Sequence, residues 1–161
     1  PVSFTANGPA VLLDPDATLT DLDSNDLAGG QLSVALLSGT STDRLPIRNE
    51  GTGAGQVGVS GNTVTYGGVL IGTFAGGLGS DPLVITFNNF AVPVSAEVVL
   101  RAVTFRNVAA EPAASDRTLT ATLMDSGGAV SSAATTVLRH GRSAARARSI
   151  RSSRKAVSRC A

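Results

Sequence analysis

Apolar and polar residues alternate with a period of two along much of this chain, which predicts short strands with one buried face. The clearest run is Gln31–Leu36, where Leu32, Val34 and Leu36 share a side. Leu83–Phe87 repeats the pattern with Leu83, Ile85 and Phe87, and Arg117–Met124 repeats it with Leu119, Ala121 and Leu123. Val57–Ser60 and Thr63–Tyr66 flank Gly61-Asn62, a hairpin signal. Residues 1–13 read as a first strand interrupted by Asn7-Gly8-Pro9, residues 69–74 as another strand, and residues 129–138 as the last. Residues 38–56 are polar, with Leu45 and Ile47 as isolated apolar anchors.

One segment breaks the alternation. Residues 96–102 predict a helix of about two turns, with Ser95 as its cap, Glu97 in its first turn and Arg101 near its end, as the helix dipole favours. Val103-Thr104-Phe105 then returns to strand character. Seven or more short strands joined by turns predict an all-β fold, a β-sandwich with one short helix.

At 161 residues the chain fits a single domain. Tyr occurs once and Trp not at all, so Val, Leu, Ile and Ala must fill the core. Cys160 is the only cysteine, which excludes an internal disulfide or a cysteine-based metal site. No apolar run approaches the length of a membrane span.

The net charge of +1 conceals two unlike parts. All twelve acidic residues lie at or before Asp125, and only five of the thirteen basic residues precede position 139. Residues 1–138 therefore carry −7, and residues 139–161 carry eight positive charges and no negative one. The expected organisation is a folded repeat over 1–138 followed by a basic, poorly ordered tail over 139–161. An acidic body without lysine is ill suited to a nucleic-acid backbone and well suited to a hard cation.

The densest carboxylates are Asp21, Asp23 and Asp26, with Asn25 among them. Calcium takes six to eight oxygen ligands, and Asp and Asn tolerate the tight turn that presents several from one short loop. Mutual repulsion makes such a loop unfavourable without a cation. The EF-hand pattern does not fit, since the loop lacks Gly at its sixth position and Glu at its twelfth. A solvated acidic turn is the competing reading. Asp14, Asp16, Asp116 and Asp125 could complete a site, depending on which of them the fold brings close.

The run from Leu19 to Leu32, with Thr20-Asp21-Leu22-Asp23-Ser24-Asn25-Asp26 and Gly29-Gly30, resembles the opening of bacterial cadherin-like tandem repeats related to the chondroitin sulfate proteoglycan type. The likeness continues through Tyr66-Gly67-Gly68-Val69-Leu70-Ile71-Gly72, the helix to Arg101, Val103 to Asn107, Asp116 to Thr120, and Asp125-Ser126-Gly127-Gly128. It covers nearly all of 1–138 in order. The resemblance implies a cadherin- or Ig-like β-sandwich repeat of a large secreted or cell-surface protein, with neighbouring repeats as partners and calcium (Ca2+) stiffening the junctions. Its implied ligands are Asp21, Asp23 and Asp26, with Asp116 and Asp125 in support. Related repeats carry a Glu before Asn-Gly near the start, where this chain has Ala6.

Three readings compete for the tail: an arm binding nucleic acid or another polyanion, a segment folding back on the acidic body, and a frameshift product. Arg139-His140-Gly141-Arg142, read one base later, permits Val-Thr-Ala-Val, the kind of closing strand such repeats carry, and this favours the frameshift. His140 is the only histidine, so residues 1–138 offer no base for a serine or cysteine nucleophile. Neither Gly51-Thr52-Gly53-Ala54-Gly55 nor Gly76-Gly77-Leu78-Gly79 continues into the Gly-Lys-Ser/Thr of a phosphate loop. The expectation is a non-catalytic structural or adhesive module, with a carbohydrate- or ligand-binding accessory module as the alternative.

Overall fold

A computed structural model describes residues 2–19, 27–110, 115–130 and 134–141. The protein is mostly β, with one short helix. In chain order the elements are β1 (Val2–Phe4), β2 (Val11–Leu12), β3 (Gln31–Leu36), β4 (Asp43–Arg44), β5 (Val57–Ser60), β6 (Thr63–Tyr66), β7 (Val69–Ala75), β8 (Leu83–Phe87), α1 (Pro93–Ala102), β9 (Thr104–Asn107), β10 (Arg117–Met124) and β11 (Ala134–His140). Eight strands form one sheet in the order β1-β11-β10-β3-β8-β7-β6-β5, and three form a second in the order β2-β9-β4. No helix among the described residues is long and apolar enough to cross a membrane.

The alternating runs sit at the centre of the large sheet. Leu32 lies opposite Ile85 on one side and Leu123 on the other, and Val34 lies between Leu83 and Ala121. All six are buried. Such same-face rows, rather than strand propensity, specify the register, because a slip of one residue would turn each row toward water. The Gly61-Asn62 hairpin forms as expected, with Val57 opposite Tyr66 and Ser60 opposite Thr63. Between β6 and β7 the register shifts after Val64, and the buried Ile71 occupies the irregularity. The next residue, Gly72, passes so close to β8 that a Cβ there would lie 2.4 Å from the Thr86 carbonyl oxygen.

Three details depart from the sequence reading. The interrupted first strand becomes two strands in different sheets, with Asn7 in a left-handed conformation (φ 48°) at the break. The helix begins at Pro93, whose fixed φ suits a first helical position, so Glu97 falls beyond the first turn. Ser95 therefore acts from inside the helix. Its Oγ accepts the Val92 N–H at 2.9 Å and donates to the Val92 carbonyl at 2.7 Å. The last strand continues through Arg139 and His140, two residues into the expected tail, because both pair with β1: Ser3 faces Arg139 and Phe4 faces His140. The His140 ring packs edge-on against Phe4 at 5.3 Å, and Gly141 N–H closes the ladder on the Phe4 carbonyl. Residues 142–161, the rest of that tail, lie outside the described residues.

Buried side chains join the two sheets. Phe4 of β1 contacts Phe105 of β9 edge-to-face at 4.8 Å. Beside them is a buried charged cluster. Arg117 of β10 is 1 % exposed and donates from Nε to Asp43 Oδ2 of β4 at 2.8 Å, while Asp43 is fully buried. Asn107 of β9 donates to Asp43 Oδ1 at 2.6 Å, and the Thr40 N–H and hydroxyl reach Oδ2 at 2.7 and 3.0 Å. Arg117 Nη1 is held by the carbonyl and hydroxyl of Ser115.

Burial by itself would raise the Asp43 pKa, but the Thr40 backbone N–H, Asn107, Arg117 and the Thr40 hydroxyl together hold it below its ordinary value of 3.8. The folded state thus binds the Asp43 proton less tightly than the unfolded chain does. Its contribution to stability is complete above about pH 4 and is lost as pH falls through the lower folded value.

Asp43→Asn is expected to destabilise the protein by about 3–5 kcal/mol in urea unfolding at pH 7, because it strands a buried guanidinium. The same substitution should flatten the loss of stability below about pH 4. A truncation after Gly141 is expected to keep the unfolding midpoint of the full chain. A truncation after Leu138, which removes the β1 partners Arg139 and His140, should lower it measurably.

Candidate cation-binding loop

Asp21, Asp23 and Asp26 lie outside the described residues. The structure does define how the two ends of their segment are held. Upstream, Asp14-Pro15-Asp16-Ala17 forms a turn in which Asp14 Oδ1 accepts the Asp16 N–H at 3.2 Å and the Asp14 carbonyl accepts Ala17 N–H. The Ala17 side chain is buried, and its carbonyl accepts Arg101 Nε at 2.7 Å. Two residues on, Leu19 N–H donates to Glu97 Oε2 at 3.1 Å. Glu97 and Arg101, one helical turn apart, complete the clamp by pairing with each other at 2.5 Å.

Downstream, Leu27 is fully buried and donates its N–H to the Ala91 carbonyl at 3.1 Å, just ahead of α1. Gly30 N–H returns to the Leu27 carbonyl at 2.8 Å, and Gly29 adopts φ 80° in the turn between them. The described flanks, Leu19 and Leu27, are therefore held beside Glu97 and beside Ala91 respectively. The upstream flank is thus tied to the helix itself, and the downstream flank to Ala91 in the segment that leads into it.

Asp125 comes to the downstream end of this segment. Met124 pairs with Gln31, and a Cβ on Gly30 would lie 2.7 Å from the Met124 carbonyl oxygen and 3.4 Å from Asp125 Cα. Its carboxylate organises the turn that follows β10, with Oδ1 accepting Ala129 N–H at 2.8 Å. Asp116 is elsewhere. It precedes β10 while Asp125 follows it, and the eight residues of that strand place them roughly 30 Å apart. Asp116 is exposed, and its Oδ1 accepts His140 N–H at 3.2 Å. The two carboxylates cannot share an ion. Among the described residues, no group of three or more His, Cys, Asp or Glu side chains gathers closely enough to hold a metal. Of the two supporting candidates, Asp125 is the one that lies beside Gly30, downstream of the acidic segment.

Sequence reasoning missed the positioning residues. Glu97 and Arg101 read as ordinary helix-end charges, and nothing in their spacing shows that each also captures backbone some eighty residues earlier. Comparison with protein-family models, with curated protein sequences and with solved structures finds no match to this chain.

Arg101→Ala should speed amide hydrogen exchange at Leu19, because the loss of its bonds to Ala17 and Glu97 loosens the upstream clamp. The accompanying change in global stability is expected to be modest, about 0.5–1.5 kcal/mol, since the ion pair is partly exposed and one hydrogen bond goes with it.

Proposed function

We propose that this chain is a non-catalytic structural or adhesive repeat module of a large extracellular or cell-surface protein. In this reading its two sheets form a cadherin-like β-sandwich, and neighbouring repeats are its partners. The acidic segment around Asp21, Asp23 and Asp26 binds calcium and stiffens one end of the module. One observation carries the reading: the upstream flank of a short, carboxylate-dense segment is tied to Glu97 and Arg101 of α1, its downstream flank is tied to Ala91 just ahead of that helix, and Asp125 lies beside Gly30.

The physical argument is one of preorganisation. Carboxylates on a free loop would separate to relieve repulsion, whereas short tethers keep them within reach of a common ion. Calcium supplies the compensating charge and accepts several oxygen ligands in flexible geometry. The chemistry asked of the chain is ligation and support, with no bond made or broken. Asp116, at the far end of β10, belongs to no site centred on this loop and is free to meet an ion or a neighbour at the opposite end of the module.

The test is a thermal melt of the full chain in calcium and in chelator. At calcium one hundred times its dissociation constant, the melting temperature is expected to rise by roughly 5–10 °C. Asp21→Asn with Asp23→Asn should abolish the rise, Asp125→Asn should reduce it, and Asp116→Asn should leave it intact. Identical melts in calcium and chelator would remove the proposal.

A further inference from the structure

Five arginines precede position 139, and three of them meet carboxylates: Arg48 with Glu50, Arg101 with Glu97, and Arg117 with Asp43. The other two, Arg44 and Arg106, lie directly opposite each other across β4 and β9. Residues paired in this way project from the same face, with Cβ atoms about 5 Å apart. Among the described residues neither has a carboxylate partner. Arg44 Nη1 is steadied by the carbonyls of Ser41 and Asp43 at 2.7 Å each, and Arg106 is exposed. Like charges directly opposite across a ladder destabilise a sheet. The two arginines that have no carboxylate partner among the described residues thus stand side by side.

Both line an open cleft of about 390 Å³, whose other walls include Leu45, Phe74, Leu78 and Val108. Leu78 is 59 % exposed there. The lining joins apolar surface to a concentrated positive charge. An extended peptide has no free backbone edge to join at this place. Arg44 already bridges Leu78, Leu45 N–H donates to the Gly77 carbonyl, and Gly79 N–H donates to the Asp43 carbonyl. Recognition must therefore come from the guanidinium forks and the apolar walls.

We propose that the Arg44–Arg106 cleft binds a carboxylate-bearing sugar, a uronic-acid unit of an acidic glycan. The two planar guanidiniums grip the carboxylate through charge-assisted hydrogen bonds, and Phe74 and Leu78 cover the C–H face of the ring. The bound anion relieves the repulsion between the arginines, so the arrangement is stabilising only when loaded. This site stands independently of calcium at the acidic loop.

The experiment is a titration of the full chain with digalacturonate, followed by amide chemical shifts. Saturable shifts are expected at Leu45, Phe74, Leu78 and Val108. Arg106→Gln should weaken binding at least about tenfold, since charge-assisted hydrogen bonds are lost, while its urea midpoint stays equal to or above that of the parent. Four results would overturn the proposal: no shift in the cleft; equal binding of the neutral digalactose; tetraglutamate binding as tightly as digalacturonate; or affinity that survives Arg106→Gln, which would assign binding to the basic residues 139–161.

Discussion

Asp43 and Arg117 meet in the interior between the two sheets, and much of the remaining geometry follows from where they are. The pair joins β4 to β10, and Asn107 brings β9 to the same carboxylate. Two ions removed from water are costly, and this cluster offsets that cost with four donors to the carboxylate, three on Oδ2 and one on Oδ1. Unlike the apolar contact of Phe4 with Phe105, it is directional. It therefore fixes how the short strands β4 and β9 are set against the large sheet, where two to four residues of backbone pairing would leave them free to shift.

That constraint reaches the surface through the period of two. With Asp43 and Asn107 turned inward, their ladder neighbours Arg44 and Arg106 must emerge on the other face, opposite each other. The same strand runs back through Thr104 to the C-terminal end of α1, and Thr104 is itself held on the Pro46 carbonyl. The helix is thus docked from behind, and its Glu97 and Arg101 can hold the upstream end of the acidic segment. One buried charge pair in this way supports both the helix that holds Ala17 and Leu19 and, on the outward face of β4 and β9, the paired Arg44 and Arg106.

The alternating strands were legible because one buried face leaves a direct mark in the order of residues. Leu32, Val34 and Leu36, then Leu83, Ile85 and Phe87, then Leu119, Ala121 and Leu123 are buried as their spacing predicts. Punctuation was legible where glycine or proline has a steric reason to be used, as at Gly61-Asn62. Less visible was the role of Ser95, because a hydroxyl three residues inside a helix can reach back to Val92 as well as a true cap reaches forward. The end of the last strand was also misplaced. Arg139 and His140 look like the start of a charged tail, yet Phe4 offers both a backbone partner and a ring surface.

By itself, then, the sequence determined what depends on near neighbours: the strand runs, the short helix, the density of carboxylates at 21–26, and the split of charge between residues 1–138 and the basic end. Tertiary structure decided what depends on partners distant along the chain. It paired Asp43 with Arg117 across seventy-four positions, set Arg44 against Arg106, brought Asp125 beside Gly30 and sent Asp116 to the far end of β10. A hydrophobic period is a property of consecutive residues, whereas the partner of a charge is chosen by where the backbone delivers it, and only the folded sheets carry that information.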